Sequence, residues 1–179
     1  MAGPGQGGER SAPAGEGPSR WRERAWIAAA AGAGLAISAY LAAVQLGVAG
    51  APWDPLFGSA SSARVLHSSL ARALPIPDAA LGAAGYAAEL AADLAGGRER
   101  WRTHPWVVLA FGATVAALAV VGAALIVVQA AVVRAGCTLC LCSALLSIGV
   151  AIAVASGGEV QAAFRAARAG RVRRAEAWR

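Results

Sequence analysis

Two long uncharged stretches constrain the fold of this chain more than any other feature. Residues 105–133 and 141–155 contain no Asp, Glu, Lys or Arg. A helix that rises about 1.5 Å per residue needs roughly 20 apolar residues to cross a hydrocarbon core about 30 Å thick. The composition agrees, since 58% of the 179 residues are hydrophobic. We therefore predict an all-α integral membrane protein.

Four apolar segments are predicted to form a four-transmembrane-helix bundle: residues 26–49, 77–95, 105–133 and 137–155. The second is the weakest, because Asp78, Glu89 and Asp93 interrupt it. Glu89 and Asp93 are four residues apart, so we expect them to face either a groove between helices or the lipid headgroups.

The flanks of the bundle are polar. Residues 1–19 are rich in Gly, Pro, Ala and Glu and are predicted to be a disordered tail. Residues 20–157 form the predicted membrane domain, and residues 158–179 a basic cytoplasmic tail. From Gln161 onwards this tail is either an amphipathic helix attracted to anionic lipid or an ordinary positively charged tail.

The loop between the first two segments, residues 50–74, is too long for a tight turn. Within it Val65, Leu66, Ser69 and Leu70 recur at helical spacing. This pattern predicts a short amphipathic helix lying on the outer membrane surface.

The chemistry is expected at Cys137 and Cys140, a C-x-x-C pair at the mouth of the last apolar segment. This spacing favours a thiolate that can act as a nucleophile in disulfide exchange. The alternatives are a structural disulfide or buried, inert thiols. The third cysteine, Cys142, is two residues beyond the pair and is interpreted as a small packing residue.

Other site classes fit the sequence poorly. A zinc site needs about four ligands, and Cys142, His67 and His104 do not complete a set, so no metal is predicted. Haem attachment would need a histidine where Leu141 stands. Nucleic acid is not an expected partner, because the arginines lie beside apolar segments, where they set membrane orientation.

Several short motifs resemble the vitamin K epoxide reductase family, in order and spacing over about residues 26–155. They are Ile37-Ser-Ala-Tyr-Leu41, Val65-Leu-His-Ser-Ser69, Pro75-Ile-Pro77, Gly82, Gly85-Tyr86 and Ala135-Gly-Cys-Thr-Leu-Cys140. The resemblance implies a four-helix membrane bundle that holds a quinone, menaquinone or ubiquinone, near its outer face.

The resemblance also assigns residues. Cys137 and Cys140 match the catalytic pair, and Cys140, the deeper one, matches the residue that attacks the quinone. Ser68, or else Ser69, matches the polar loop residue near the outer cysteines, and Asp78 lies where family members can place a group that hydrogen-bonds the quinone. Ser68, Asp78 and Cys140 are the expected quinone-binding residues.

One departure from the family pattern bears on mechanism. The family usually has a second cysteine pair in the outer loop, at the position of Ser62 and near Pro55 or Leu56, but this chain has no cysteine before Cys137. We therefore predict a quinone-linked thiol oxidoreductase that uses one pair. A separate thioredoxin-like protein would attack Cys137, the expected exposed member. The alternative is a non-catalytic member that binds quinone or packs as a structural membrane subunit.

Arginine counts predict the orientation in the membrane. Twelve arginines lie next to the ends of the apolar segments on the side that holds both termini and the loop between the second and third segments. Three arginines lie on the opposite side. The positive-inside rule then makes both termini cytoplasmic. The C-x-x-C pair is expected at the outer, oxidising face of the inner or plasma membrane.

Topology reporters test this orientation. Fusions after Gly97 and after Arg179 should give a cytoplasmic signal, and an insertion at residues 59–61 an external one. A cytoplasmic signal from the 59–61 insertion would reverse the orientation and put the cysteines on the reducing side.

Overall fold

The computed structural model describes residues 21–73, 75–97 and 99–176, and these residues form helices, turns and loops without a strand. The predicted disordered tail, residues 1–19, lies outside them. The helices are α1 (Trp21–Gln45), α2 (Ser59–Leu66), α3 (Asp78–Leu94), α4 (Arg100–Thr103), α5 (Pro105–Val128), α6 (Thr138–Ser156) and α7 (Glu159–Glu176). A π-helical turn, Gln129–Val133, extends α5.

Helices α1, α3, α5 and α6 pack into a bundle. Both α1 and α5 contact α3 and α6. One buried apolar cluster contains Ile27, Phe111, Val115 and Val150, and a second contains Leu41, Val44, Leu66 and Cys137. We call the end of the bundle with Cys137 the cysteine end, and the opposite end, where Arg24 and Arg100 lie, the arginine end.

Within the described residues, three helical segments are long and apolar enough to cross a membrane: Arg24–Gln45, Pro105–Val133 and Thr138–Ser156. Many of their large apolar side chains point away from the bundle, including Val121, Val127, Leu145 and Ile152. Such an apolar exterior is suited to lipid. The prediction of an all-α membrane protein is confirmed at this level.

The fourth crossing stays a prediction. Helix α3 matches the predicted segment 77–95 closely, but it has 17 residues and contains buried Glu89 and Asp93. It packs between α1 and α5 as a bundle member would.

Helix α1 is shifted from its predicted range of 26–49 and ends at Gln45. Gly47 has a φ of 73°, a left-handed conformation that glycine adopts without steric cost. The N–H groups of Val48 and Ala49 then donate to the carbonyl of Ala43 at 2.9 and 3.0 Å, which closes the helix.

The outer loop does contain a short helix, but its predicted extent was wrong. Helix α2 covers Ser59–Leu66, so Ser69 and Leu70 lie beyond it, in turns. The backbone already turns at His67, whose N–H donates to the carbonyl of Ala63 at 3.0 Å. The apolar spacing that suggested a longer helix therefore joins α2 to a turn, and contact of α2 with a membrane surface stays a prediction.

The segment after α6 is helical. Glu159–Glu176 forms α7, which packs against α5 and buries Ala162 and Ala163. The tail is thus helical as far as residue 176, but whether anionic lipid attracts it stays a prediction, and residues 177–179 lie outside the described part.

Buried charges join four helices at the arginine end. The Arg100 guanidinium pairs with both carboxylate oxygens of Glu159, with its Nε 2.6 Å and its Nη2 3.0 Å away. It also lies 3.6 Å from Asp93, which is 3.7 Å from Arg24. This network connects α1, α3, α4 and α7.

The positions of Glu89 and Asp93 in α3 show which surroundings their side chains face. Glu89 and Asp93 are each 1% exposed. The groove between helices is therefore confirmed for both, and the headgroup alternative is wrong, because Asp93 has its counter-charges inside the protein.

Arg100→Met should lower the free energy of unfolding by about 3–5 kcal/mol, because it leaves the buried Asp93 and Glu159 with one cation fewer. The matched control is Arg102→Met, the same substitution at an exposed position of the same short helix. That control should change the free energy by at most about 0.5 kcal/mol. Denaturant unfolding in detergent measures both, and equal effects would contradict a stabilising network.

Candidate functional site

Cys137 caps the amino end of α6. It has extended backbone geometry, and its sulfur accepts the N–H of Cys140 at 3.3 Å. The cysteines of the chain are all free thiols in this structure. Negative charge on Cys137 would therefore be stabilised by an N–H at a helix amino terminus.

The environment of Cys137, which precedes the membrane-capable segment, lowers its pKa to about 7. The largest cause is a hydrogen bond from the Cys140 thiol, which favours the Cys137 thiolate. Burial opposes this effect, and the hydrogen bond from the Cys140 N–H reinforces it. Within the pair, Cys137 is thus the residue that ionises readily.

Cys137 was predicted to be the exposed member of the pair, and this is wrong for the dithiol structure. Cys137 is 0% exposed, whereas Cys140 is partly buried. The loop between α1 and α3 covers it: Ser61 Oγ donates to the Gly136 carbonyl at 2.9 Å and accepts the Gly136 N–H at 3.1 Å. The Phe57 ring lies so close to Gly136 that a Cβ there would overlap it.

Asp54 joins this loop to the start of α6. Its carboxylate accepts the N–H and the hydroxyl of Thr138 at 2.8 and 2.5 Å, and the N–H groups of Leu56 and Phe57 at 3.0 and 2.8 Å. Ser62 donates a further hydrogen bond. Burial alone would raise the pKa of Asp54, but the hydrogen bonds from Ser62 and Thr138 outweigh it and hold the pKa well below its usual range.

Ser62 occupies the position where the resemblance led us to expect a loop cysteine. It is buried, and its hydroxyl donates its hydrogen to Asp54. Asp54 directly precedes Pro55, near the expected second loop cysteine. The hydrogen bond from the Ser62 hydroxyl to the Asp54 carboxylate thus joins the two parts of the loop where the resemblance led us to expect cysteines.

A cavity of about 270 Å³ opens beside Cys140 between α1, α3, α5 and α6. Its walls are mainly apolar, with Leu41, Leu66, Leu118, Val121 and Leu125 among them. The sequence-predicted residues Ser68, Asp78 and Cys140 all line it. Ser69, the alternative to Ser68, is exposed and is not part of its lining.

Hydrogen bonds fix the polar groups at the cysteine end of the cavity. Asp78 Oδ1 accepts from Gln45 Nε2 at 2.5 Å and from the N–H of Ala79 at 2.9 Å. The same Gln45 amide donates to the Leu66 carbonyl at 2.9 Å. The start of α3 is thereby tied to the end of α1 and to α2.

Sequence reasoning missed three residues of this site: Asp54, Tyr86 and Gln129. The Tyr86 hydroxyl, which also lines the cavity, lies 2.6 Å from both the Ser143 carbonyl and Ser147 Oγ. Gln129 could have been recognised from the sequence, because it is a strongly polar side chain in an apolar membrane segment. Asp54 could not have been recognised, because its partner Thr138 is 84 residues away in the chain.

The remaining candidates lie apart from the cavity. Cys142 is exposed, so the prediction that it is a packing residue was wrong. His67 and His104 are exposed too. Across residues 21–73, 75–97 and 99–176, no group of three or more His, Cys, Asp or Glu side chains could hold a metal ion.

Comparison with known families gives one match. The model of the vitamin K epoxide reductase family matches residues 25–155, which include α1 to α6 almost entirely. A search among curated proteins found no match.

The thiol environment predicts a pH titration. In Cys142→Ala protein, which has only the pair, the ultraviolet absorbance of thiolate should rise with pH around a midpoint near 7, because the Cys140 thiol stabilises ionised Cys137. Adding Cys140→Ala should move the midpoint upward, towards the value of about 8.5 for an ordinary cysteine. The same midpoint in both proteins would contradict this role of the Cys140 thiol.

Proposed function

The chain belongs to the vitamin K epoxide reductase family, and we propose that it is a membrane thiol:quinone oxidoreductase with Cys137 and Cys140 as its redox pair. Family membership supports a thiol oxidoreductase-like function. The observation that carries the proposal is that Cys140 of the C-x-x-C pair lines the same mainly apolar cavity as Ser68 and Asp78.

The cavity is suited to a quinone ring. Its volume of about 270 Å³ is just below the range of about 300–1,000 Å³ of small-ligand pockets. Apolar walls suit the ring, and the Ser68 hydroxyl can donate to a ring oxygen. In its ionised form Asp78 can only accept, so it fits a hydroxyl of the reduced form better than a carbonyl. Menaquinone and ubiquinone both meet these requirements.

The redox chemistry balances with one pair. Oxidation of the two thiols to a disulfide forms one S–S bond and releases two electrons and two protons. A quinone supplies the acceptor, because it takes up two electrons and two protons to become a hydroquinone. The disulfide is then reduced by a thiol partner: the partner's thiolate attacks one sulfur, a mixed disulfide forms, and the partner's second thiol completes the exchange.

The partner in this scheme is a separate thioredoxin-like protein. Cys137 is enclosed in the dithiol structure, so exchange at this sulfur requires the segment around Asp54 and Ser62 to move away from α6. We propose that the cysteine end faces the outside of the inner or plasma membrane, with both termini cytoplasmic, as the arginine counts predict.

A second candidate is a non-catalytic family member that binds quinone or packs as a structural membrane subunit. It is favoured by the loop, which has no thiol and covers Cys137 through Ser61 and Phe57. The two candidates differ in one property, whether the reduced protein consumes quinone.

Quinone consumption by purified, reduced protein in detergent tests the proposal. Wild type and Cys142→Ala should each reduce about one short-chain quinone per protein molecule and form a Cys137–Cys140 disulfide detectable by mass spectrometry. Cys137→Ser and Cys140→Ser should react only at the uncatalysed rate, because neither can form that disulfide. Cys142→Ala is the matched control, since it removes an exposed thiol of the same helix.

The outcomes separate the candidates. Wild-type protein that leaves the quinone oxidised would contradict the oxidoreductase. If such protein still bound quinone in a binding titration, the non-catalytic binding protein would remain, and absence of binding would leave the structural subunit.

A further inference from the structure

Gln129 begins the π-helical turn that ends α5, and it is 4% exposed. A π turn adds a residue to a helical ladder and is often found at functional sites. After this turn Arg134 takes a left-handed conformation, with φ 50°, and its N–H donates to the Gln129 carbonyl. The backbone therefore holds the residue at a fixed point, just before the C-x-x-C segment.

The oxygen of the Gln129 side-chain amide is hydrogen-bonded to the first cysteine of the pair. Its Oε1 accepts the backbone N–H of Cys137 at 2.9 Å. Because only the oxygen of an amide can accept this bond, the NH₂ group is the part left for another partner. Among the described residues no acceptor forms a hydrogen bond with Gln129 Nε2.

Gln129 also lines the cavity that contains Cys140 and Asp78. A quinone carbonyl accepts hydrogen bonds, so its partners must be donors. Asp78 Oδ1 already accepts from the Gln45 amide and from the Ala79 N–H. The Gln129 NH₂ is a donor without an acceptor among the described residues, and its residue is hydrogen-bonded to the backbone of the cysteine pair.

We propose that Gln129 bridges the redox pair and the bound quinone: its Oε1 holds the Cys137 backbone, and its Nε2 donates to a quinone carbonyl. This inference rests on the proposed function, since it assumes that the cavity takes a quinone. The bridge makes Gln129 a quinone-binding residue and a positioning residue for Cys137. Donation to the carbonyl also draws electron density from the ring and makes it a better electrophile.

The test uses two readouts, one for each half of the bridge. Hydrogen exchange at the Cys137 amide reports the bond to Oε1. The infrared carbonyl band of a short-chain naphthoquinone labelled with carbon-13 at its ring carbonyls reports the bond from Nε2. In wild-type protein the Cys137 amide should exchange slowly, and one carbonyl band should lie at lower frequency than in detergent alone.

Gln129→Leu should remove both signals and weaken naphthoquinone binding by about tenfold, the effect of one hydrogen bond. Gln129→Glu, measured at a pH where the infrared carboxylate band shows that the new carboxyl is ionised, should keep slow exchange at Cys137 and lose the shifted carbonyl band. Gln161→Leu, the same kind of substitution at the arginine end, is the matched control and should change neither signal.

The results distinguish the inference from the function it rests on. Unchanged affinity and an unchanged carbonyl band in both Gln129 variants would overturn the bridge while the oxidoreductase stands. Absence of naphthoquinone binding to wild-type protein would overturn both. Where Gln129→Leu does not fold, Gln129→Glu, which retains the acceptor of the Cys137 N–H, decides between the outcomes.

Discussion

The carboxylate of Asp54 is the interaction on which the cysteine end depends. It accepts hydrogen bonds from the backbone and side chain of Thr138, at the first residue of α6, and from Ser62 in α2. An anion at a helix amino terminus is favoured by the exposed N–H groups there. One side chain therefore fixes the loop, α2 and the start of α6 in a single arrangement.

That arrangement gives the two cysteines different surroundings. Cys137 lies at the helix terminus under the loop, with the Cys140 N–H as a hydrogen-bond donor. Cys140, one turn further along α6, lines the apolar cavity. A thiol that ionises readily is thus placed beside one that lines the cavity.

The same arrangement restricts access from the aqueous side. Ser61 and Phe57 close over Gly136, and Cys137 is completely covered. Cys140 is therefore reached from the cavity, and Cys137 from the loop. In the proposed function, exchange with a protein partner at Cys137 depends on loop movement, whereas a quinone in the cavity would meet Cys140 without it. At the other end of the bundle, the Arg100 network holds α3, α4 and α7 together.

The sequence by itself determined the fold class, three of the apolar helices and the location of the C-x-x-C pair. These follow from local features: charge-free length for the spans and a four-residue motif for the thiols. The resemblance to the family also implied Ser68 and Asp78, and the structure brings both to the cavity with Cys140. What the sequence could not decide depends on contacts between distant residues. Only the folded chain brings Asp54 to Thr138, buries Cys137 and directs the amide of Gln129 back to the Cys137 N–H. Hydropathy and spacing report how one segment partitions between water and lipid, whereas hydrogen bonds and burial are set by the neighbours that packing brings together.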